Sequence, residues 1–116
     1  MNSRPRVRRP GHATPTPDMA QLRTSAGAAA RLLRTLSNEH RLMLLCLLFE
    51  GEKSVGELNA SLPLSQSALS QHLAVLREEG LVRTRRAAQS IYYTLASPAA
   101  AQVVRTLHAI YCPKRC

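Results

Sequence analysis

Apolar residues in the first half of the chain recur at helical spacing. Leucine and alanine return every three or four positions within residues 22–36, which predicts a first helix. Asn38 is a suitable N-cap for a second helix over residues 39–50, and Gly51 ends it. Because residues 42–49 are apolar without a break, we expect this second helix to be central and buried on all sides.

Two further helices follow, with a tight join between them. A short helix is predicted over residues 55–61 and ends before Pro63. Ser65 then caps a longer helix over residues 66–79, which Gly80 closes. The spacing is that of two helices connected by a turn.

The two sides of the 66–79 helix differ in character. Leu69, Leu73 and Leu76 form a stripe that we expect to face inward. The other side is short, neutral and hydrogen-bonding at its N-terminal end, with Ser65, Gln66, Ser67, Ser70 and Gln71, followed by His72. Such side chains allow a helix to enter the DNA major groove and read base edges, whereas an ordinary solvent-facing side carries more Glu, Lys and Arg. For His72, a phosphate contact and simple packing are both open.

Beyond Gly80 the pattern changes from helical spacing to alternation. Residues 81–86 and 90–95 are predicted as strands of a hairpin, joined by residues 87–89. A last helix is predicted over residues 98–111, opened by a Ser-Pro pair. Its apolar stripe consists of Val103, Val104, Leu107 and Ile110.

This order of elements predicts a mainly α (α+β) winged helix-turn-helix domain of five helices with a two-stranded hairpin wing. The wing in such domains lies along the phosphate backbone or minor groove, so its polar residues are expected to set affinity: Arg83, Arg85, Arg86 and Gln89. The apolar stripes of the first and last helices have little chain to pack against. Two copies pairing through them would bury the stripes and place two reading helices on a palindromic site, although packing within one chain is compatible with this.

Composition and charge narrow the class of partner. The chain has 116 residues and a formal net charge of +9, which fits one domain and points first to nucleic acid rather than to a merely solvated cationic surface. Aromatic residues are only 3%, which argues against a stacking platform for single strands. Residues 1–17 hold four arginines and no acid and are predicted to be a disordered basic tail. Residues 18–112 form the predicted domain, and 113–116 a short basic tail.

The cysteine count indicates the compartment. Three cysteines cannot form a closed disulfide framework, and the chain has no apolar segment of signal-peptide or membrane-spanning length. We therefore expect a cytoplasmic protein with reduced thiols and no membrane partner. An organelle transit peptide is the less favoured interpretation, because four prolines interrupt the Arg-rich leader. No catalytic constellation is present, so neither an enzyme nor a cofactor is predicted.

Residues 64–73 and 75–82, together with 38–42, resemble the ArsR/SmtB family. The resemblance runs from about residue 22 to 112 and implies a dimeric bacterial winged-helix repressor that releases DNA when an inducer binds. The sequence departs from the metal sensors of that family. The segment before the reading helix contains no cysteine, and the last helix offers only His108 in place of a zinc-binding set.

Cys46 in the second helix and Cys112 at the end of the last resemble the BigR/SqrR/HlyU branch of that family. The resemblance implies that the two cysteines form a dithiol which reactive sulfur species (persulfides or polysulfides) link through a short polysulfide bridge. DNA affinity then falls and genes for sulfide or persulfide handling are released. HlyU-type members also act by displacing a silencer.

The chemistry requires a thiolate. The apolar run around Cys46 disfavours its anion, whereas Lys114 and Arg115 favour that of Cys112, so we expect Cys112 to attack first and Cys116 to be a spectator. Alternatives are a metal-responsive repressor that uses Cys46, His108 and Cys112, a sequence-neutral architectural DNA-binding protein, and, last, a thiol oxidoreductase. Cys46 taken alone is also compatible with a small core residue.

Overall fold

The computed structural model describes residues 18–112, which fold into five helices and three short strands. The helices are α1 (Met19–Leu36), α2 (Glu39–Glu50), α3 (Val55–Ser61), α4 (Gln66–Glu78) and α5 (Pro98–Tyr111). The strands are β1 (Lys53–Ser54), β2 (Val82–Ala87) and β3 (Ser90–Leu95). The predicted tails, residues 1–17 and 113–116, lie outside the described residues.

Polar side chains start every helix by accepting a hydrogen bond from a backbone N–H of the first turn. The N-caps are Asp18, Asn38, Ser54, Ser65 and Ser97. Ser54 and Glu57 also form a reciprocal capping box. At the other end of the helix-turn-helix, α4 stops at Glu78 and Glu79 is the C-cap, one residue earlier than predicted. The helix positions expected from the sequence are otherwise confirmed.

Helix α2 is central, because it packs against α1, α4, α5 and β3. Leu44, Leu45 and Leu48 are buried. Burial on all sides, however, was a wrong prediction: Met43 is 39% exposed and Phe49 is 42% exposed. These two residues line an open cavity beside α5 rather than packing beneath another helix.

The inward stripe of α4 is confirmed, since Leu69, Leu73 and Leu76 are all buried. They join α2, α3 and the base of the hairpin in one hydrophobic core. The uncharged N-terminal side of α4 is thereby directed outward. The predicted mainly α winged helix-turn-helix architecture is confirmed.

The sheet has three antiparallel strands in the order β1-β3-β2, one more than expected. Strand β1 pairs Lys53 and Ser54 with β3. With only two residues, this strand is too short to show an alternation of buried and exposed positions. Strand β2 covers Val82–Ala87, shifted by one residue from the prediction. Strand β3 lies between β1 and β2, and its residues from Ile91 to Leu95 are half-buried on both faces of the sheet.

The wing ends in a two-residue turn. Ala87 pairs with Ser90, so Ala88 and Gln89 make the turn. Ala88 has a φ of 57°, in the left-handed region that favours glycine. Gln89 is exposed beside it at the tip of the wing.

Candidate DNA-binding surface and thiol cavity

The N-terminal half of α4 presents exposed, uncharged side chains. Ser65 caps the helix by accepting from the N–H of Ala68 at 3.1 Å. The remaining predicted reading residues are all exposed: Gln66, Ser67, Ser70 and Gln71. No charged residue interrupts α4 before Arg77. This surface can offer donors and acceptors to base edges at close range.

His72 is half-buried and differs from its neighbours on α4. Its ring centroid lies 5.7 Å from that of His40 on α2. Desolvation lowers the pKa of His72, and the nearby charges of Arg41 and His40 lower it further. Of the two interpretations left open for this residue, the geometry favours packing between α2 and α4 over a phosphate contact.

The three wing arginines are not equivalent. Arg83 and Arg86 are exposed and form no ion pair with any residue between 18 and 112. Arg85 instead donates from Nε and Nη2 to the two carboxylate oxygens of Glu52, each at 2.8 Å. The sequence did not indicate Glu52 as a partner.

A cleft of about 640 Å³ separates the C-terminal half of α4 from the sheet. Ser70 and Arg77 line it on the helix side, and Ile91 and Tyr93 on the sheet side. Arg77 is exposed and forms no ion pair within the described part of the chain. It was not among the DNA-contacting residues predicted from the sequence. Its position seven residues after Ser70 was the available signal, because residues spaced by seven share a helix face.

A second cavity, of about 610 Å³, lies between α2 and α5 and brings together Cys46, His108 and Cys112. Among residues 18–112 its other lining residues are mostly apolar and include Glu50 but no lysine or arginine: Leu42, Met43, Leu47, Phe49, Glu50, Ser61, Leu62, Val104, Leu107 and Tyr111. Burial raises the pKa of the half-buried Cys46 thiol, and the Glu50 carboxylate raises it further. Cys46 is therefore largely protonated at neutral pH.

Cys112 is the C-cap of α5, and its N–H donates to the carbonyl oxygen of His108 at 2.7 Å. It is disulfide-bonded in this structure, whereas Cys46 carries a free thiol, so the two are not joined to each other. Lys114, Arg115 and Cys116 lie outside the described residues. The expected order of attack, with Cys112 first, stays a prediction.

Comparison with known proteins now adds to this geometry. Residues 38–84 match the family described as bacterial regulatory protein, arsR family. The transcriptional activator HlyU of Vibrio cholerae serotype O1 is 47% identical over 95 residues, which is 82% of this chain and 88% of that protein. The chain belongs to the ArsR family.

Two further comparisons describe its place in the ArsR family. The biofilm growth-associated repressor of Xylella fastidiosa is 52% identical over 87 residues, which is 75% of this chain and 76% of that protein. The solved structure of reduced HlyU from Vibrio cholerae superposes with a TM-score of 0.78 at 48% identity and covers 81% of this chain and 99% of that one. The predicted resemblance to the BigR and HlyU branch is thus confirmed, and this ArsR-family chain is a transcriptional regulator with a DNA-binding winged helix-turn-helix.

The sequence left open a second kind of ArsR-family repressor, one that responds to metal ions. Among residues 18–112 no three His, Cys, Asp or Glu side chains come close enough to hold a metal ion. The metal-responsive alternative that uses Cys46, His108 and Cys112 stays a prediction. A membrane-crossing helix is likewise not found between residues 18 and 112, where no helix is both long and apolar enough.

Proposed function

We propose that this ArsR-family regulator is a dithiol-based repressor, released from a palindromic operator when reactive sulfur species crosslink Cys46 and Cys112. The observation that carries the proposal is that both cysteines line one cavity between α2 and α5. The α2 wall of that cavity also packs against α4, which carries the uncharged reading surface. Helix α2 therefore connects the dithiol to the reading helix α4.

The crosslinking chemistry starts from the dithiol with both cysteines reduced. A cysteine thiolate attacks the outer sulfur of a persulfide RSSH, the S–S bond of the persulfide breaks, and the thiol RSH leaves. After a second transfer to the same cysteine, the other thiolate attacks the middle sulfur and hydrogen sulfide leaves. In total, the dithiol and two persulfide molecules give a trisulfide bridge, two thiol molecules and one molecule of hydrogen sulfide. The raised pKa of Cys46 supports Cys112 as the first nucleophile and Cys46 as the second.

Loss of DNA affinity follows from the position of α2. A bridge between α2 and α5 changes the distance or angle between the two helices, because an added chain of sulfur atoms has its own geometry. Helix α2 also packs against α4, and His40 on α2 contacts His72 on α4. Close-packed helices move as bodies rather than deform, so a shift of α2 is passed to α4.

Dimerisation through α1 and α5 is part of this proposal. Large apolar residues remain exposed on both helices, among them Leu33 at 57% and Ile110 at 60%. Their burial between two copies would place two α4 helices on one duplex. A Leu33→Glu variant is expected to sediment as a monomer where wild type sediments as a dimer, and a wild-type monomer would contradict this part of the proposal.

The deciding experiment measures binding of the reduced protein to its own promoter DNA while an organic persulfide is titrated. Wild type is compared with Cys46→Ser and Cys112→Ser, and Cys116→Ser is the matched control. Persulfide is expected to release wild type and Cys116→Ser from DNA and to leave the other two bound. Mass spectrometry of released wild type should show a polysulfide bridge between Cys46 and Cys112.

Three outcomes would contradict the proposal in different ways. If the protein binds its promoter strongly and persulfide does not release it, the assignment of the inducer is wrong, and the assignment as a DNA-binding regulator stands. Binding that survives shuffling of the promoter sequence favours the architectural alternative. Catalytic turnover of a disulfide substrate would favour the thiol oxidoreductase.

A further inference from the structure

Arg85, in the middle of strand β2, is held by a carboxylate from outside the wing. Its guanidinium donates to both oxygens of Glu52 at 2.8 Å, in the bidentate geometry that makes an Arg–carboxylate pair directional. Glu52 lies in the short segment between α2 and β1. The pair therefore joins the wing to the end of α2.

Two side chains of β3 complete this contact. The guanidinium carbon of Arg85 lies 4.6 Å from the ring centroid of Tyr92, its partner across the hairpin. The hydroxyl of Thr94 donates to Glu52 at 3.3 Å. Glu52 thus bonds one residue from each strand of the wing, and Tyr92 covers one face of the guanidinium.

The electrostatics of the pair agree with this geometry. The hydrogen bonds from Arg85 lower the pKa of the Glu52 carboxyl, and those to Glu52 raise the pKa of the Arg85 guanidinium. Arg83 and Arg86, on the same strand, have no acidic partner within residues 18–112. The wing therefore contains two uncompensated cations and one that is already neutralised by a carboxylate.

We propose that Glu52 and Arg85 are positioning residues that fix the orientation of the wing, and that the phosphate contacts of the wing are made by Arg83 and Arg86. The inference rests on DNA binding, which belongs to the proposed function, but not on the persulfide response. It assigns a role to Glu52, which no sequence pattern indicated, and it changes the role expected for Arg85.

The salt dependence of DNA binding separates positioning from direct phosphate contact. Each neutralised phosphate contributes about −0.9 to the slope of log K against log salt, whereas a positioning residue acts only through the phosphate contacts that it orients, so both members of a positioning pair should change the slope alike. Binding of the reduced full-length chain is measured at several salt concentrations, on promoter DNA and on a random duplex. The variants are Glu52→Gln, Arg85→Gln and the double substitution, with Glu39→Gln, at an exposed position at the start of α2, as the control for removing one negative charge.

The expected result is specific to positioning. Glu52→Gln and Arg85→Gln should each weaken binding about tenfold, because a misplaced wing loses phosphate contacts, and both should reduce the salt slope by the same amount. The double variant should bind no more weakly than either single one, because both remove the same contact. Glu39→Gln should leave binding equal or slightly tighter. Thermal melting at the assay salt confirms that the variants are folded.

A direct phosphate contact predicts the opposite pattern. Glu52→Gln would then tighten binding, because it frees Arg85, and Arg85→Gln alone would reduce the slope, by about 0.9. Either result would overturn the proposal, and so would unchanged affinity in both variants. If wild type does not distinguish promoter from random DNA, the proposed function fails, while the slopes on the random duplex still decide the role of Glu52.

Discussion

The thiol cavity and the DNA-binding surface both adjoin α2 but depend on different physical properties. The cavity is mostly apolar, has no lysine or arginine among the lining residues that the structure describes, and holds Cys46, whose thiol pKa is raised. The surface formed by α4 and the wing is exposed and carries unpaired arginines beside neutral glutamines and serines. The first should respond to pH and hardly to salt, and the second to salt and hardly to pH near neutrality.

This difference shows that sensing and binding can be altered separately. A substitution in the cavity changes the chemistry of a thiol without changing the charge that DNA meets. A substitution on the wing changes that charge without altering access to the thiol. Helix α2 connects the two regions, because it lines the cavity and packs against α4 and β3.

The largest expected effect is on the DNA side. Arg83→Gln combined with Arg86→Gln should lower affinity on the order of 50-fold near 0.1 M salt and reduce the salt slope by about 1.8. The loss should be equal on promoter and random DNA, because phosphate contacts carry no sequence information. Fluorescence anisotropy over a salt series measures both quantities. An unchanged slope would show that neither arginine meets a phosphate.

Substitution of the reading helix should affect sequence discrimination instead. Gln66→Ala and Gln71→Ala should each reduce the ratio of promoter to random binding by about tenfold, the effect of losing one base-edge contact. The salt slope should not change. Competition binding with both duplexes tests this, and Ser61→Ala, on α3, is a control. Equal losses on both duplexes would mean that the glutamines do not read bases.

A smaller effect is expected in the cavity. In a chain with Cys112→Ser and Cys116→Ser, Glu50→Gln should speed alkylation of Cys46 at neutral pH by less than about tenfold, because removal of the carboxylate lowers the thiol pKa. Below that pKa the rate should rise with pH in both chains, and it should be insensitive to salt. A strong salt dependence of this rate would contradict the contrast between the two regions.

The smallest effect concerns the ion pair between α1 and the end of α4. Arg31 donates to Glu79 at 2.7 Å and lowers the pKa of its carboxyl, so this pair stabilises the fold above the ordinary carboxyl pKa. The stabilisation is lost as pH falls through the lowered pKa. Arg31→Gln should reduce the melting temperature by a few degrees at most near neutrality. The difference from wild type should disappear by about pH 2, and a difference that persists in acid would exclude the ion pair as its cause.

Local signals were sufficient to predict the helices. Asn38 and Ser65 cap where they were expected to, and Leu69, Leu73 and Leu76 point inward from α4. These features depend on residues a few positions apart, so the sequence displays them directly. The reading surface of α4 follows from the same periodicity.

Local sequence patterns could not predict contacts between residues that are far apart in the chain. Glu52 and Arg85 are 33 positions apart, and Arg31 and Glu79 are 48 apart. The two residues of β1 form a strand only because β3 lies beside them. The exposure of Met43 and Phe49 depends on how α5 lies across α2. Each depends on tertiary packing that no local pattern encodes.

Ala88 at the wing tip affects how easily a single substitution can raise the stability of this regulator. Ala88 is the residue of the two-residue turn that has a positive φ, a conformation that favours glycine. An alanine there costs on the order of 1 kcal/mol relative to a residue without a Cβ. A single change to glycine would remove that strain at a position remote from both the thiols and the hydrophobic core. The wing tip is therefore where stability can be gained in this protein without altering what it senses.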